Sequence, residues 1–149
     1  QKHKSVTRPT KPHVMTTSPQ IQTDVCKTAQ YIAAGRALES KRPDALFNDP
    51  FAEAFSGDYG FTFMDGMATL GSKESLVNHV AVRTKFLDDF VERAEANEIK
   101  QIVILACGGD SRSRRLRLGD GVTVYNVDLA EVMAYRDATF RGIDRLPQC

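Results

Sequence analysis

Gln101-Ile102-Val103-Ile104-Leu105-Ala106-Cys107-Gly108-Gly109-Asp110-Ser111 decides how this chain folds. Its first six residues form a short, β-branched apolar run, the kind expected of a parallel strand covered on both faces. Cys107 to Ser111 is a turn from which a helix can open at Ser111. Further on, Gly119-Asp120-Gly121 is a second turn, and Val122-Thr-Val-Tyr-Asn-Val127 reads as a second strand ending in Asp128. From Ala130 to about Gly142 the spacing predicts an amphipathic helix with Val132, Tyr135 and Phe140 as candidate buried positions. Strand, glycine turn, helix, strand, acid, helix is the opening unit of an open, doubly wound α/β sheet.

N-terminal to this unit the pattern is helical. Leu76, Val80, Thr84, Leu87, Val91 and Ala94, with Val77, Phe86 and Phe90 widening the stripe, predict a long helix over Glu74–Asn97. Gly57, Gly60, Gly66 and Gly71, interleaved with Phe61, Phe63 and Met64, predict a loop-rich stretch, either a lid over a site or an irregular connection. Asp49-Pro50 reads as the N-cap and first position of a short helix through Glu53 and Phe55. Ile21 to about Ser40 places Val25, Ala29, Ile32, Ala33 and Ala37 at helical spacing, and Lys41-Arg42-Pro43 ends it. Residues 1–20 carry Lys2, Lys4, Arg8 and Lys11, three prolines and no acid, the composition of a disordered basic tail. The expected organisation is a tail over 1–20, a helical cap or lid region over 21–97, and the first half of a Rossmann-like domain over 98–149. Two parallel strands cannot cover their own faces and edges, and no initiator Met opens the chain. An excerpt of a longer protein is therefore expected.

Composition narrows the function classes. The 149 residues carry 20 basic and 19 acidic side chains, and the tail leaves residues 21–149 with a net charge of −3. The longest apolar run, Ile102–Cys107, is far short of the roughly 20 residues a membrane helix needs, so no membrane partner is expected. Cys26, Cys107 and Cys149 form no CxxC pair and have no histidine at ligand spacing, which argues against a disulfide scaffold or zinc site and favours a cytoplasmic protein. Arg112, Arg114, Arg115 and Arg117 could bind phosphate backbones, but a solvated helix face is the simpler reading, and no nucleic-acid partner is expected.

The glycine turn after the first strand lets a backbone approach a ligand closely, and a helix behind it would offer free N–H groups and the positive end of its dipole. Asp128 follows Gly108 by 20 residues, the spacing at which an acid accepts hydrogen bonds from ribose hydroxyls in nucleotide-binding folds. Capping of the helix beginning near Leu129 is a compatible second role. Gly108-Gly109 lacks the GxGxxG spacing of dinucleotide sites, which disfavours NAD. S-adenosylmethionine has a ribose and an amino-acid tail but no pyrophosphate, so it demands less of the turn. Its carboxylate would want a cation such as Arg83, for which a solvated helix charge is the plain alternative.

Thr28-Ala29-Gln30-Tyr31-Ile32-Ala33-Ala34-Gly35-Arg36-Ala37 and Arg42-Pro43-Asp44-Ala45-Leu46-Phe47-Asn48-Asp49-Pro50-Phe51-Ala52 resemble the opening of bacterial leucine carboxyl methyltransferase-like enzymes. Val82-Arg83-Thr84-Lys85-Phe86-Leu87-Asp88-Asp89 is similar to that family's helix before the first strand. Residues 102–116 resemble its S-adenosylmethionine motif, and Tyr125-Asn126-Val127-Asp128 its second-strand acid. The resemblance implies a class I, Rossmann-like methyltransferase fold with S-adenosyl-L-methionine as cofactor. It implies that Arg83 pairs with the cofactor carboxylate, that Ala106 and Gly108 line the cofactor, and that Asp128, with Leu129 beside it, holds the ribose. Lys27 or Arg36 is a further candidate for the carboxylate, and Asp110 and Arg112 are expected to stabilise the turn. The chain departs from the family in having Ala106 where glycine is usual, Gly109 where leucine is usual and Arg114 where an aromatic is usual.

These readings lead to an S-adenosylmethionine-dependent O-methyltransferase, present as an N-terminal fragment expected to be inactive alone. Its acceptor is a carboxyl or hydroxyl oxygen, with a small molecule the better guess. The alternative is a truncated, non-catalytic remnant that binds only a nucleotide or a partner. No catalytic base is assigned: His3 and His13 lie in the tail, and His79 lies one helical turn before Arg83.

Overall fold

The computed structural model describes residues 24–67 and 71–143. The tail predicted over 1–20 lies outside them, as does Cys149. Helix α1 (Asp24–Glu39) is followed by α2 (Ala52–Met67) and α3 (Lys73–Ala96), then β1 (Gln101–Leu105), α4 (Arg112–Arg115), β2 (Thr123–Val127) and α5 (Ala130–Phe140). A helical region thus precedes a β-α-β-α unit, the partial α/β architecture the 101–140 stretch predicts.

α1 is the hub. Its sequence reads as one-sided, yet Ala33, Ala34, Gly35, Arg36 and Ala37 are buried in succession, because α2 and α3 both pack on it. Small side chains allow this approach: Ala34 meets Met64 of α2 and Val77 of α3 in one cluster. Ala33 joins Phe51, Phe55, Val132 and Phe140 in another, where the Phe51 and Phe140 rings meet edge-on at 5.3 Å. Gln30 ties three elements together, donating to the Ser56 carbonyl (3.3 Å) and to the Tyr135 hydroxyl (3.1 Å), which itself donates to the Phe55 carbonyl (3.2 Å).

The loop-rich stretch expected after Phe55 is instead helical as far as Met67. Gly57 supplies a kink at φ 52°, a left-handed conformation costly for other residues. Gly60 is buried where any Cβ would overlap the Gln30 backbone carbonyl and the Ser56 hydroxyl, so its role is tight helix packing rather than loop formation. At Asp49-Pro50 the carboxylate accepts from the Phe51 N–H (3.1 Å), and regular helix starts at Ala52.

β1 and β2 are parallel, in register from Gln101 opposite Thr123 to Leu105 opposite Val127. Ile102 and Val124 turn inward against Val91, Leu116 and Leu118. The opposite face, bearing Val103, Leu105, Tyr125 and Val127, is exposed, Leu105 by 73%. Coverage of both faces, as the apolar run predicts, is therefore not seen among the described residues. The α3 stripe is also narrower than predicted: Phe86 and Phe90 are 62% and 58% exposed, and Asp88 is buried in their stead. No described helix is long and apolar enough to cross a membrane.

Candidate functional site

A cleft of about 390 Å³ opens where the C-terminal ends of the strands meet α1 and α3. Arg83, Ala106, Gly108, Asp128 and Leu129, the five residues singled out in the sequence, all line it. Parallel strands make this geometry available, since both deliver their C-terminal tips to one edge.

The two tips are bonded to each other. The Cys107 N–H donates to the Val127 carbonyl (3.1 Å), extending the ladder by one step. Gly108, at φ 50°, donates its N–H to Asp128 Oδ2 (2.6 Å), and Asp128 Oδ1 accepts from the Leu129 N–H (2.7 Å). Each carboxylate oxygen has two lone pairs, so the half-buried Asp128 keeps acceptor capacity for two further donors. Asp128 does not cap α5 as expected: Leu129 occupies the N-cap position, and no side chain caps it. Ala106 also lies in the left-handed region, at φ 50°, the conformation a glycine would adopt without strain.

The helix expected behind the turn is one turn long, and the chain itself uses its leading N–H groups. Arg112 N–H donates to Asp110 Oδ1 (2.9 Å) and Arg114 N–H to the Ser111 carbonyl (2.8 Å). Four residues supply little dipole, so the anion-binding terminus read from the sequence is absent.

The arginine run is neither a solvated face nor a phosphate cluster. Arg112 and Arg115 are buried and share Asp88 Oδ1, at 2.8 and 2.6 Å. Arg112 also pairs with the Asp110 carboxylate and donates to the Thr84 carbonyl (3.2 Å). Arg114 lies 5.5 Å from the Phe140 ring and 5.8 Å from that of Phe51, a cation–π position over both rings. Arg117 alone of the four is exposed.

Arg36 lines the cleft with its guanidinium already engaged: Nε donates to Asp49 Oδ2 (2.8 Å) and Nη2 to the Gly109 carbonyl (2.7 Å). Lys27 is not in the lining; its ammonium lies 5.4 Å from the Tyr59 ring. Arg83 is exposed at the cleft wall and has no ion-pair or hydrogen-bond partner among the described residues. His79 is exposed and outside the lining. Burial pushes the Cys107 thiol up, as do Asp128 and Asp110, against the lowering effect of Arg136. Cys107 is thus a protonated thiol, not a nucleophile, at neutral pH. No group of acidic, histidine or cysteine side chains that could hold a metal occurs among the described residues.

The network around Asp49 and Asp88 escaped sequence reading. One sign was available: Asp88 follows Thr84 by four residues on the face that also carries Val77, Val80 and Val91, an acid on a buried stripe. A charge there needs a partner from elsewhere in the fold.

Residues 29–149 match the family model described as leucine carboxyl methyltransferase. The chain belongs to the leucine carboxyl methyltransferase family. Relatives in this family include a protein of Mycobacterium bovis (strain BCG / Pasteur 1173P2) named "Putative S-adenosyl-L-methionine-dependent methyltransferase", 37% identical over 139 residues. Proteins of the same name in Mycolicibacterium gilvum and Mycobacteroides abscessus are 36% and 38% identical over 139 and 128 residues. The three alignments cover 85%, 85% and 80% of this chain but 46%, 45% and 43% of the relatives. The chain thus spans about half the length of the relatives it matches. The departures at Ala106 and Gly109 fall inside the matched segment, and Gly109 has a local reason: a Cβ there would run into the Phe55 ring, which fills that space from α2.

Proposed function

We propose that this chain supplies the cofactor-binding half of an S-adenosyl-L-methionine-dependent O-methyltransferase acting on a carboxyl or hydroxyl oxygen of a small molecule. The observation that carries the reading is the Gly108–Asp128 bond at the cleft edge: one carboxylate fixes the turn and retains acceptors for a vicinal diol. Arg83, a cation without a partner among the described residues on the facing wall, suits the carboxylate of an amino-acid tail. Family membership and the names of the relatives support the S-adenosyl-L-methionine-dependent methyl transfer in this reading.

When bound, the cofactor would supply an activated methyl group on a sulfonium sulfur. The chain's part is alignment: Asp128 and Leu129 hold the ribose end, Ala106 and Gly108 give it a close backbone floor, and Arg83 anchors the charged tail. A carboxylate acceptor is ionised at neutral pH and asks for no base, whereas a hydroxyl acceptor would need one. In this reading residues 21–97 form the cap on the acceptor side, and residues 98–149 the first half of the cofactor domain. The buried, unpaired Cys107 thiol is compatible with a cytoplasmic setting.

Calorimetric titration of the 149-residue chain with S-adenosylhomocysteine tests the reading, with NAD as control. Saturable binding that disappears in Asp128→Ala is expected. Binding of NAD alone, or silence from a chain shown by circular dichroism to be folded, overturns it.

A further inference from the structure

The turn that would face the cofactor is clamped by an arginine from helix α1, which also lines the cleft. In the Cys107–Asp110 turn, the Asp110 N–H donates to the Cys107 carbonyl (2.8 Å) and the Gly108 N–H to Asp128. The carbonyls of Gly109 and Asp110 are each held by a buried guanidinium. Arg136 of α5 donates to the Asp110 carbonyl through Nη2 (3.0 Å), and Arg36 of α1 to the Gly109 carbonyl through Nη2 (2.7 Å). The Gly108–Gly109 peptide, between the Gly108 N–H held by Asp128 and the Gly109 carbonyl held by Arg36, has no hydrogen-bond partner among the described residues, and both glycines line the cleft.

Arg36 is itself aimed. Its Nε donates to Asp49 Oδ2 (2.8 Å), an oxygen that also accepts from the Ser111 hydroxyl (2.7 Å). Asp49 is fully enclosed, so the guanidinium is fixed by a carboxylate that cannot turn to solvent. A planar fork with one arm on a carboxylate and another on a peptide carbonyl is a geometry only arginine supplies; lysine offers a point charge.

We propose that Arg36 is a positioning residue of the cofactor cleft: aimed by Asp49, it fixes the Gly109 carbonyl and so presents the Gly108–Gly109 peptide to the bound ligand. The inference rests on the cofactor reading above. It assigns Arg36 a role other than pairing with the cofactor carboxylate, and it makes cofactor affinity depend on the seating of the cap helix α1.

The test uses the 149-residue chain and S-adenosylhomocysteine. Arg36→Lys keeps the charge and an ion pair with Asp49 but not the fork. Expected is at least a tenfold loss of affinity by calorimetry, faster amide exchange at Asp110, and a melting temperature close to that of the parent. Arg42→Lys, which loosens the Arg42–Glu39 pair away from the cleft, is the control and should bind like the parent. Parent binding with Arg36→Lys within twofold of it overturns the inference and leaves the cofactor reading intact. Absence of binding by the folded parent overturns the cofactor reading, and the inference with it. Should Arg36→Lys fail to fold, the parent alone decides. Saturation with S-adenosylhomocysteine should shift the Arg36 Nε–H resonance and slow exchange at Asp110, and unmoved signals overturn the proposal.

Discussion

The Gly108 N–H reaches Asp128 Oδ2 at 2.6 Å, so residues just beyond the ends of the two strands are joined by a charge-assisted hydrogen bond across 20 positions of sequence. The same carboxylate holds the first N–H of the segment leading into α5. Asp128 therefore shapes the cleft before any ligand enters, and its removal must affect stability and binding together.

Asp128→Ala leaves the Gly108 and Leu129 donors without their acceptor. A loss of about 2 kcal/mol in unfolding free energy is expected, together with loss of S-adenosylhomocysteine binding. Asp128→Asn keeps one acceptor oxygen and should recover part of the stability while still binding poorly. Urea unfolding and calorimetry on both variants check this. Equal binding by Asp128→Asn and the parent would argue that the charge is irrelevant to the ligand.

Ala106→Gly should stabilise the chain, which is unusual for a substitution to glycine. At φ 50° alanine carries strain of about 1–2 kcal/mol, while glycine gains unfolded-state freedom that offsets roughly 0.5–1 kcal/mol of the relief. The expected net is a gain of up to about 1.5 kcal/mol in urea unfolding, with tighter S-adenosylhomocysteine binding as a methyl group leaves the cleft lining. A loss of stability would show that Ala106 is not held in the left-handed region in solution.

Gly109→Leu should destabilise by about 1–3 kcal/mol, because the Phe55 ring already occupies the space. Phe55→Ala alone should cost about 3–5 kcal/mol from the cluster with Phe51 and Phe140. The double variant should cost clearly less than the sum, since the leucine enters the cavity the ring vacates. Additive losses in a double-mutant cycle would break the proposed link between the two sites.

What was legible in the sequence is what local pattern controls. The Gln101–Leu105 and Thr123–Val127 strands, the glycine turn between β1 and α4, and the limits of α3 to within one residue follow from periodicity and turn chemistry. The glycines of α2 misled because Gly60 answers to the backbone of α1, a neighbour 30 positions away that no local window contains. Phe86 and Phe90 fit the α3 stripe by spacing, but Asp88 takes the inward position because two arginines from α4 meet it there. The cleft residues on the strand tips were readable, since parallel strands bring their ends together. Local pattern offers Arg36 only as a candidate for the cofactor carboxylate, because its partners Asp49 and Gly109 lie 13 and 73 residues away.

The two faces of the sheet should respond differently to truncation. Ile102→Ala, on the face packed against Val91, Leu116 and Leu118, should cost about 2 kcal/mol. Val103→Ala, one residue on and exposed, should stay within about 0.5 kcal/mol of the parent. Denaturant midpoints measure both, and similar losses at the two positions would mean that the outer face is covered in solution.

Acid should act through Asp49. Burial by itself would raise its carboxyl, but the Arg36 and Arg115 guanidiniums and the Ser111 hydroxyl more than offset that and hold it below the usual aspartate range. A carboxyl with a depressed folded-state value binds protons more readily when unfolded. Its stabilisation is therefore complete above the unfolded value and drains away as pH falls through the lower, folded one. The parent's urea midpoint should fall as pH drops from about 5 to about 3, and Asp49→Asn should lack that share of the slope. At neutral pH the variant should be weaker by about 3–5 kcal/mol, because Arg36 then has no carboxylate partner while Arg115 keeps Asp88. If Asp49→Asn tracks the parent's acid slope while starting lower, the acid sensitivity does not come from Asp49.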